Sequence, residues 1–422
     1  MTPTRTATSL RLLAGYQSLG RAVEHHDHLS MYGRLPQVHG AAGREALIRA
    51  IDEAGLTGRG GAAFPTARKI RAVAGGRRRP IVVVNAAEGE PASGKDRLLV
   101  TVAPHLILDG ATLAADVLDA EEIVVALHAS GQPVAAMEWA VTQRRRSQHV
   151  PVRIQVLPRR YVASEESAVV NWINTEDARP TAAPPRPYER GVDGRPTMVS
   201  NAETYAHIAL IARYGPAWFR SCGTPEAPGT ALFTLGGAVA HPGVVEAPLG
   251  TSITDLIRYA GGTSESVQAV LTGGYGGAWL PATALDTPAT PAAFTAAGGV
   301  LGPGILIALS ARSCGIAESA RVLAWLADQN AGQCGPCMFG LPAIAGDFAE
   351  IAQGRAHAAG YQRLVDRLDV ITGRGACRHP DGAVRFARSA LRVFEQHLPH
   401  HEHGPGCLPA RRAPVLPLPP GR

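Results

Sequence analysis

Three cysteines toward the C-terminal end carry the sharpest chemical signal: Cys334 and Cys337 in Gln-Cys-Gly-Pro-Cys, and Cys377 in Gly-Ala-Cys-Arg. A Cys-x-x-Cys pair opening one helical stretch, with a third thiol after two more, can converge on one metal centre. Thiolates are soft ligands, suited to zinc or to iron–sulfur clusters. Such clusters usually take four thiolates, and the residue three before Cys334 is Ala331. A second chemical signal is the glycine loop Gly55-Leu-Thr-Gly58-Arg59-Gly60-Gly61-Ala-Ala-Phe64-Pro-Thr66. Its backbone N–H groups can turn toward a phosphate, helped by the dipole of the following helix and by Arg59, Arg68 and Lys69. The loop matches neither the P-loop nor Gly-x-Gly-x-x-Gly, so alone it also reads as an ordinary turn with solvated basic residues.

Two further segments follow predicted strands. In Asn85-Ala-Ala-Glu88-Gly-Glu90-Pro91 an amide and two carboxylates stand where open α/β sheets bind ligands, at the carboxyl end of a strand. An Asn side chain can pair with the edge of a flavin ring, and carboxylates can accept from ribose hydroxyls. Tyr161-Val-Ala-Ser164-Glu165-Glu166-Ser167 follows the same logic, and Ser164 and Glu165 equally suit the cap of the next helix.

The elements that must position these residues are legible in the periodicity. Residues 42–54 have helical spacing and stop at Gly55; a second helix is expected from about Pro65. The β-branched run at 80–85 reads as a buried parallel strand. Helix- and strand-like pieces then alternate over 98–118, 122–127, 134–144 and 152–157, which predicts β-α-β units and a parallel sheet covered on both faces. After Pro228 the texture becomes strand, strand, helix, strand with Gly-Gly turns. From Cys314 four helical stretches, 317–329, 339–353, 361–368 and 383–398, follow one another as a bundle carrying the cysteines.

Composition narrows the function classes. The chain has 422 residues, 45% of them hydrophobic, enough for two or three domains. Formal charge is 41 − 35 = +6, but the Arg runs at 77–79 and 144–146 lack interleaved aromatics, so nucleic-acid binding is not expected. The positive balance suits an anionic dinucleotide or an acidic protein partner. Residues 10–14 are too short an apolar stretch for a signal-peptide core, and no transmembrane segment is expected. Six cysteines form no disulfide framework, which points to a cytoplasmic protein, with membrane association only through partner subunits. Cys222 and Cys407 read as bystanders, and His397, His400, His401 and His403 as part of a solvated approach to a disordered, Pro-rich tail at 401–422, with adventitious metal binding as the lesser alternative.

Taken in order, five motifs resemble one family: Gly-Arg-Gly-Gly-Ala-Ala-Phe-Pro-Thr, Asn-Ala-Ala-Glu-Gly-Glu-Pro, Ser-Glu-Glu-Ser-Ala, Arg195-Pro-Thr-Met-Val-Ser-Asn201-Ala-Glu203-Thr204 and Gly-Gln-Cys-Gly-Pro-Cys. The family is the NADH-binding flavoprotein subunit of respiratory NADH–quinone oxidoreductase, with the related diaphorase subunits of hydrogenases and formate dehydrogenases. The resemblance spans about 55–398 and implies an α/β fold. A Rossmann-like FMN/NADH domain (1–225) would precede a β-grasp soluble-ligand-binding domain (226–300) and a helical iron–sulfur domain (301–400).

It further implies that Gly58, Arg59, Gly60 and Gly61 line the flavin/NADH cleft, that Phe64 stacks on the NADH adenine and that Lys69 sits by its phosphates. Asn85 and Glu88 would contact FMN, and Glu90 would face the nicotinamide as the catalytic-site residue. Tyr161, Ser164 and Glu165 would line the flavin, Glu166 the NADH side, and Asn201 and Thr204 would hold FMN near its phosphate. Cys334, Cys337 and Cys377 would carry a [4Fe–4S] cluster. Hydride from NADH to FMN, and then single electrons to a ferredoxin or a thioredoxin-like iron–sulfur subunit, is the implied activity.

Departures from the family pattern are Ala87 for Asp, Ala72 and Arg186 for two aromatics that sandwich adenine, Ser164 for Gly, Ser200 for Asn and Ala331 for the first cluster Cys. Asp328, Asn330, His379 or water are the candidates for the fourth ligand, Cys314 is one only if its loop folds back over the bundle, and a three-iron form is the alternative. A non-catalytic scaffold subunit is the alternative these departures favour.

Overall fold

The run Ile81–Asn85 forms β1 because it offers apolar side chains to both faces of a sheet. The computed structural model describes residues 10–128, 131–356, 358–402, 407 and 413–419. In it β1 pairs in parallel with β2 (Glu122–His128) and β4 (Thr197–Asn201), and β2 with β3 (Val152–Leu157), giving the order β3-β2-β1-β4. Val82 and Val84 join Leu47, Ile51, Leu106 and Ile208 in one core. Ile81 and Val83 point the other way, into a second core with Val124, Ala126, Val169 and Val170. Fully burying each such side chain contributes roughly 1.5–3 kcal/mol, so the strand is fixed from both sides. Strand β4 falls within the Arg195–Thr204 motif, where the sequence shows no separate strand signal, yet it decides where the sheet's crevice falls.

The helix expected over 98–118 is two: Lys95–Val102 and Pro104–Leu118, bent by 94°. Pro104 cannot donate to the preceding turn and disfavours helical backbone at Ala103, whose φ and ψ are −139° and 48°. Pro104–Leu118 is buried along nearly its whole length. Among the described residues no single helix is long and apolar enough to cross a membrane. Gly110 lets this helix meet Ala202–Arg220 backbone to backbone, since a Cβ there would stand 1.7 Å from the Tyr205 carbonyl oxygen.

Two compact units divide the chain. One comprises Met1–Gly89, Gly94–Phe233 and Val244–Thr251, and the other Glu90–Ser93, Thr234–Gly243 and Ser252–Arg422. A second sheet runs β6-β5-β9-β7-β8, from β5 (Thr230–Gly237), β6 (Gly243–Pro248), β7 (Val267–Thr272), β8 (Ala278–Pro281) and β9 (Ile305–Ser310). Strand β9 is parallel to β5 and antiparallel to β7. Four helices follow, Gly315–Asp328, Leu341–Ala352, Ala358–Ile371 and His379–Val393. Buried Trp279 of β8 locks onto them: its indole N–H donates to Ser319 (3.0 Å), and its backbone N–H to Ser389 (2.9 Å).

The Pro-rich end does not read as a disordered tail over 413–419. Val415 and Leu416 donate backbone N–H groups to the buried Glu318 carboxylate (3.1 and 3.0 Å), and Tyr275 donates to the Pro417 carbonyl (2.6 Å). Leu416 is buried, which a solvated tail would not require. Residues 403–406, 408–412 and 420–422 of that expectation, His403 among them, lie outside the described residues.

Candidate functional site

From β1 the chain winds outward through β2 and β3, then returns to the other side of β1 as β4. The strand order therefore reverses between β1 and β4, and a crevice opens at their carboxyl ends. Asn85 and Asn201 end these two strands and stand opposite one another in register. The Asn85 side-chain amide donates to the Ser164 carbonyl (2.9 Å), and its oxygen accepts from the Ala87 backbone N–H (3.2 Å). Asn201 donates to the Asn85 carbonyl (3.2 Å) and to Asp96 (2.7 Å), while its oxygen caps the next helix by accepting from Glu203 N–H (3.1 Å).

The glycine loop packs onto this edge. A Cβ on Gly60 would come within 3.4 Å of the Asn201 Cβ, and Gly61 has φ +116°, a conformation that favours glycine. Thr204 accepts the Arg59 backbone N–H (2.9 Å), and Gly58 N–H bonds the Phe64 carbonyl (2.9 Å). The Arg59 guanidinium, expected to offer charge to a ligand, is buried instead and donates to Thr57 (3.1 Å) and the Thr230 carbonyl (3.2 Å).

Loops 85–91 and 161–166 touch directly: a Cβ on Gly89 would lie 2.4 Å from Ser164 Oγ and 2.6 Å from the Tyr161 carbonyl. Glu88 accepts from the backbone N–H groups of Asp96 (3.1 Å) and Arg97 (3.3 Å) at the start of helix Lys95–Val102. Glu165 is the N-cap of Glu166–Thr175, accepting from Ser167 and Ala168 N–H. Lys69 bridges the Glu166 carboxylate and the Val199 carbonyl, both at 2.8 Å. Phe64 is 45% exposed, with the Arg68 guanidinium 5.7 Å from its ring centre. Glu90 belongs to the second unit, where it packs against Gly274.

Sequence reasoning missed the charge beneath this edge. Lys95, 1% exposed, places its ammonium 2.8 Å from Asp96, 3.0 Å from Glu203 and 2.9 Å from the Asn201 oxygen. Burial alone would lower the lysine pKa, but Asp96 and Glu203 outweigh it and the net shift is upward. Burial likewise pushes Glu203 up, yet Lys95, His207 and Arg59 bring it down to about 2. Two cations thus face two carboxylates in a dry, neutral set. The signal that could have found it is Lys-Asp-Arg opening a helix directly after the Asn-Ala-Ala-Glu-Gly-Glu-Pro loop.

In the second unit Cys334 and Cys337 flank the turn into helix Leu341–Ala352, and the Cys337 backbone N–H donates to the Cys334 carbonyl (3.0 Å). Burial, with Cys334 and Cys377 beside it, pushes the Cys337 thiol up to about 12. Ala331 is buried, contributes only a backbone hydrogen bond to that sulfur and has no side-chain ligand to offer. Of the candidate fourth ligands, Asn330 is spent on the Gly332 N–H and the Ala327 carbonyl, and His379 Nε2 on the Leu326 carbonyl (2.9 Å). Asp328 is exposed.

A second trio corrects the sequence reading. Cys407, a bystander by its sequence context, and His401, solvated by the same reading, come together with Cys314, their ligand atoms all within 4.8 Å.

Three comparisons bear on this geometry. Residues 51–210 match the Nuo51 FMN-binding domain, 232–275 the SLBB domain, and 317–401 the iron–sulfur binding region of NADH-ubiquinone oxidoreductase-F. The second F subunit of NADH-quinone oxidoreductase in Rhizobium meliloti is 30% identical over 388 residues, covering 88% of this chain and 92% of that protein. The F subunit of the Streptomyces coelicolor enzyme is 30% identical over 376 residues, 86% of this chain and 84% of its own. An NAD+-reducing [NiFe]-hydrogenase in the H2-reduced state superposes with a TM-score of 0.80 at 30% identity, covering 90% of this chain and 67% of that one. The edge between β1 and β4 fits a flat cofactor with polar edges, since Gly60 has no side chain to block it and Asn85 and Asn201 frame it. The bundle fits a cluster through three thiols and lacks a fourth.

Proposed function

This chain belongs to the family of the NADH-quinone oxidoreductase F subunits, and on that premise we propose that it is the NADH-oxidising flavoprotein subunit of an electron-transfer complex. The observation that carries this reading is the pairing of Asn85 with Asn201 at the switch point of a parallel sheet, roofed by the glycine loop. FMN bound there would accept hydride from NADH and release its two electrons singly, chemistry that belongs to the cofactor.

The chain's own part is positioning. Asn85, Tyr161 and Ser164 form the wall along the flavin; Glu88 and Glu165 stiffen that wall by capping the helices Lys95–Val102 and Glu166–Thr175. Gly58, Gly60 and Gly61 let backbone approach the cofactor, while Arg59 ties the loop down from beneath. Asn201 holds the phosphate end at the start of Ala202–Arg220, and Thr204, buried beneath, positions the glycine loop there by accepting the Arg59 N–H. Phe64, exposed and backed by Arg68, stacks on adenine; Lys69 and Glu166 bind the dinucleotide side, and Glu90 orients the nicotinamide. Buried Lys95, tied to Asp96, Glu203 and the Asn201 oxygen, would fix Asn201 where the flavin is held. Cys334, Cys337 and Cys377 would hold a cluster that carries single electrons outward, with solvent completing the fourth iron. The acceptor is a ferredoxin-like or thioredoxin-like iron–sulfur subunit, which a chain with a formal charge of +6 would meet through acidic surface.

The test is the visible spectrum of anaerobically purified protein before and after NADH. Flavin bands that bleach on addition support the reading. Protein that stays colourless after reconstitution with FMN, iron and sulfide would sink it and leave the scaffold alternative. Glu90→Ala and Phe64→Ala should each slow reduction by NADH. Loss of the Phe64 ring removes a stacking contact of about 0.5–1.5 kcal/mol, a several-fold rise in KM.

A further inference from the structure

We propose that Cys314, Cys407 and His401 hold a zinc ion, at a site separate from the three cluster cysteines. Their ligand atoms lie within 4.8 Å of one another, the spacing of ligands around a single ion. Cluster thiolates ride on the outside of an iron–sulfur core and stand farther apart. Cys314 and His401 are each 2% exposed. His401 Nδ1 lies 2.8 Å from the Ala352 carbonyl and donates to it, which fixes the tautomer and leaves the Nε2 lone pair facing Cys314 Sγ at 3.3 Å. An imidazole braced by a carbonyl on one nitrogen, with its other nitrogen toward a thiol, is the arrangement found at metal-ligating histidines.

Cys314 is also the N-cap of Gly315–Asp328 and accepts the Ala317 N–H at 3.4 Å, so its sulfur sits at the positive end of a helix. A metal binding there would displace the thiol proton of Cys314. Two thiolates and one imidazole select zinc over hard cations, with the fourth position left to water or an external ligand.

The site has a mechanical consequence. Glu318, one turn into the same helix, takes the Val415 and Leu416 N–H groups. Zinc would hold His401 and Cys407 to the start of helix Gly315–Asp328, the same helix to which Glu318 holds Val415 and Leu416.

Purified protein, prepared without metal-affinity resin and kept reduced, should contain one zinc per chain besides its iron. Zinc-edge X-ray absorption should read two sulfurs at about 2.3 Å and one nitrogen at about 2.0–2.1 Å. Cys407→Ser and His401→Gln should each lower zinc at least tenfold and leave iron and flavin content unchanged; Cys334→Ser should lower iron and leave zinc and flavin unchanged. Zinc that persists in both variants overturns the proposal. So does protein that binds no Zn2+ on titration, or a mass two hydrogens short that reveals a Cys314–Cys407 disulfide. If a variant fails to fold, the absorption spectrum of the unaltered chain decides alone.

Discussion

The flavin edge and the cysteine bundle solve the same task, holding a redox group, by opposite means. The edge is made of sheet register, backbone amides and a buried charge set, so many contacts share the holding. Replacements such as Ala87 and Ser164 leave it standing: Ala87 still bonds Asn85 through its backbone, and Ser164 still offers its carbonyl. With Cys334, Cys337 and Cys377 as its proposed ligands, the bundle would depend on three sulfurs, each nearly indispensable. One substitution there, Ala331, removes a quarter of a four-thiolate set. A distributed site degrades gradually, whereas a ligand-counted site changes in steps.

That contrast can be broken most directly by exchanging losses. Cys334→Ser should cost at least tenfold in bound iron with flavin retained, and Asn201→Ala should cost flavin with iron retained. Measuring both contents in each variant checks it, and parallel loss of both groups would show that the two sites stand or fall together. Ala331→Cys should move iron content upward and sharpen the difference.

Next in size is Lys95→Met, which leaves Asp96 and Glu203 buried with Arg59 as the remaining cation. Removing one partner of such a set costs about 3–5 kcal/mol, read as a lower midpoint of the first urea transition. Smallest per pH unit is the acid sensitivity of the flavin unit. Burial, with Arg144 and His28 nearby, lowers His105 to about 3, and burial lowers His207 to about 4, from an ordinary 6.5. Both stay neutral when folded but take up protons when unfolded. Stability is therefore full above pH 6.5 and falls as pH drops from 6.5 toward those values, by at most ~1.4 kcal/mol per pH unit for each. Glu203 adds to the loss between its ordinary 4.5 and about 2. A flat midpoint between pH 7 and 5 would refute this.

How much could be read beforehand follows from range. Strand 152–157 was legible because its residues announce themselves locally, and the structure returns the same bounds. The single helix over 98–118 failed because apolar spacing continues across Pro104 while the backbone does not. Arg59 looked like a ligand's partner, but its acceptors include the Thr230 carbonyl, 171 residues away. Lys95 reads as a solvated helix start until Glu203 is brought to it. Cys407 and His401 meant nothing until Cys314, 87 residues before His401, was placed beside them. The family motifs named the flavin edge; only tertiary structure showed what lies under it.

The register of β1 against β4 also sets a clock. Asn85 waits for a partner 116 residues downstream. At a synthesis rate of about 5–20 residues per second, that interval is on the order of ten seconds. Throughout it, one side of the valine-rich central strand has no neighbour, and an unpaired strand edge invites other chains. The switch point that opens the crevice therefore leaves that strand edge of the nascent chain open to other chains while this stretch is being made.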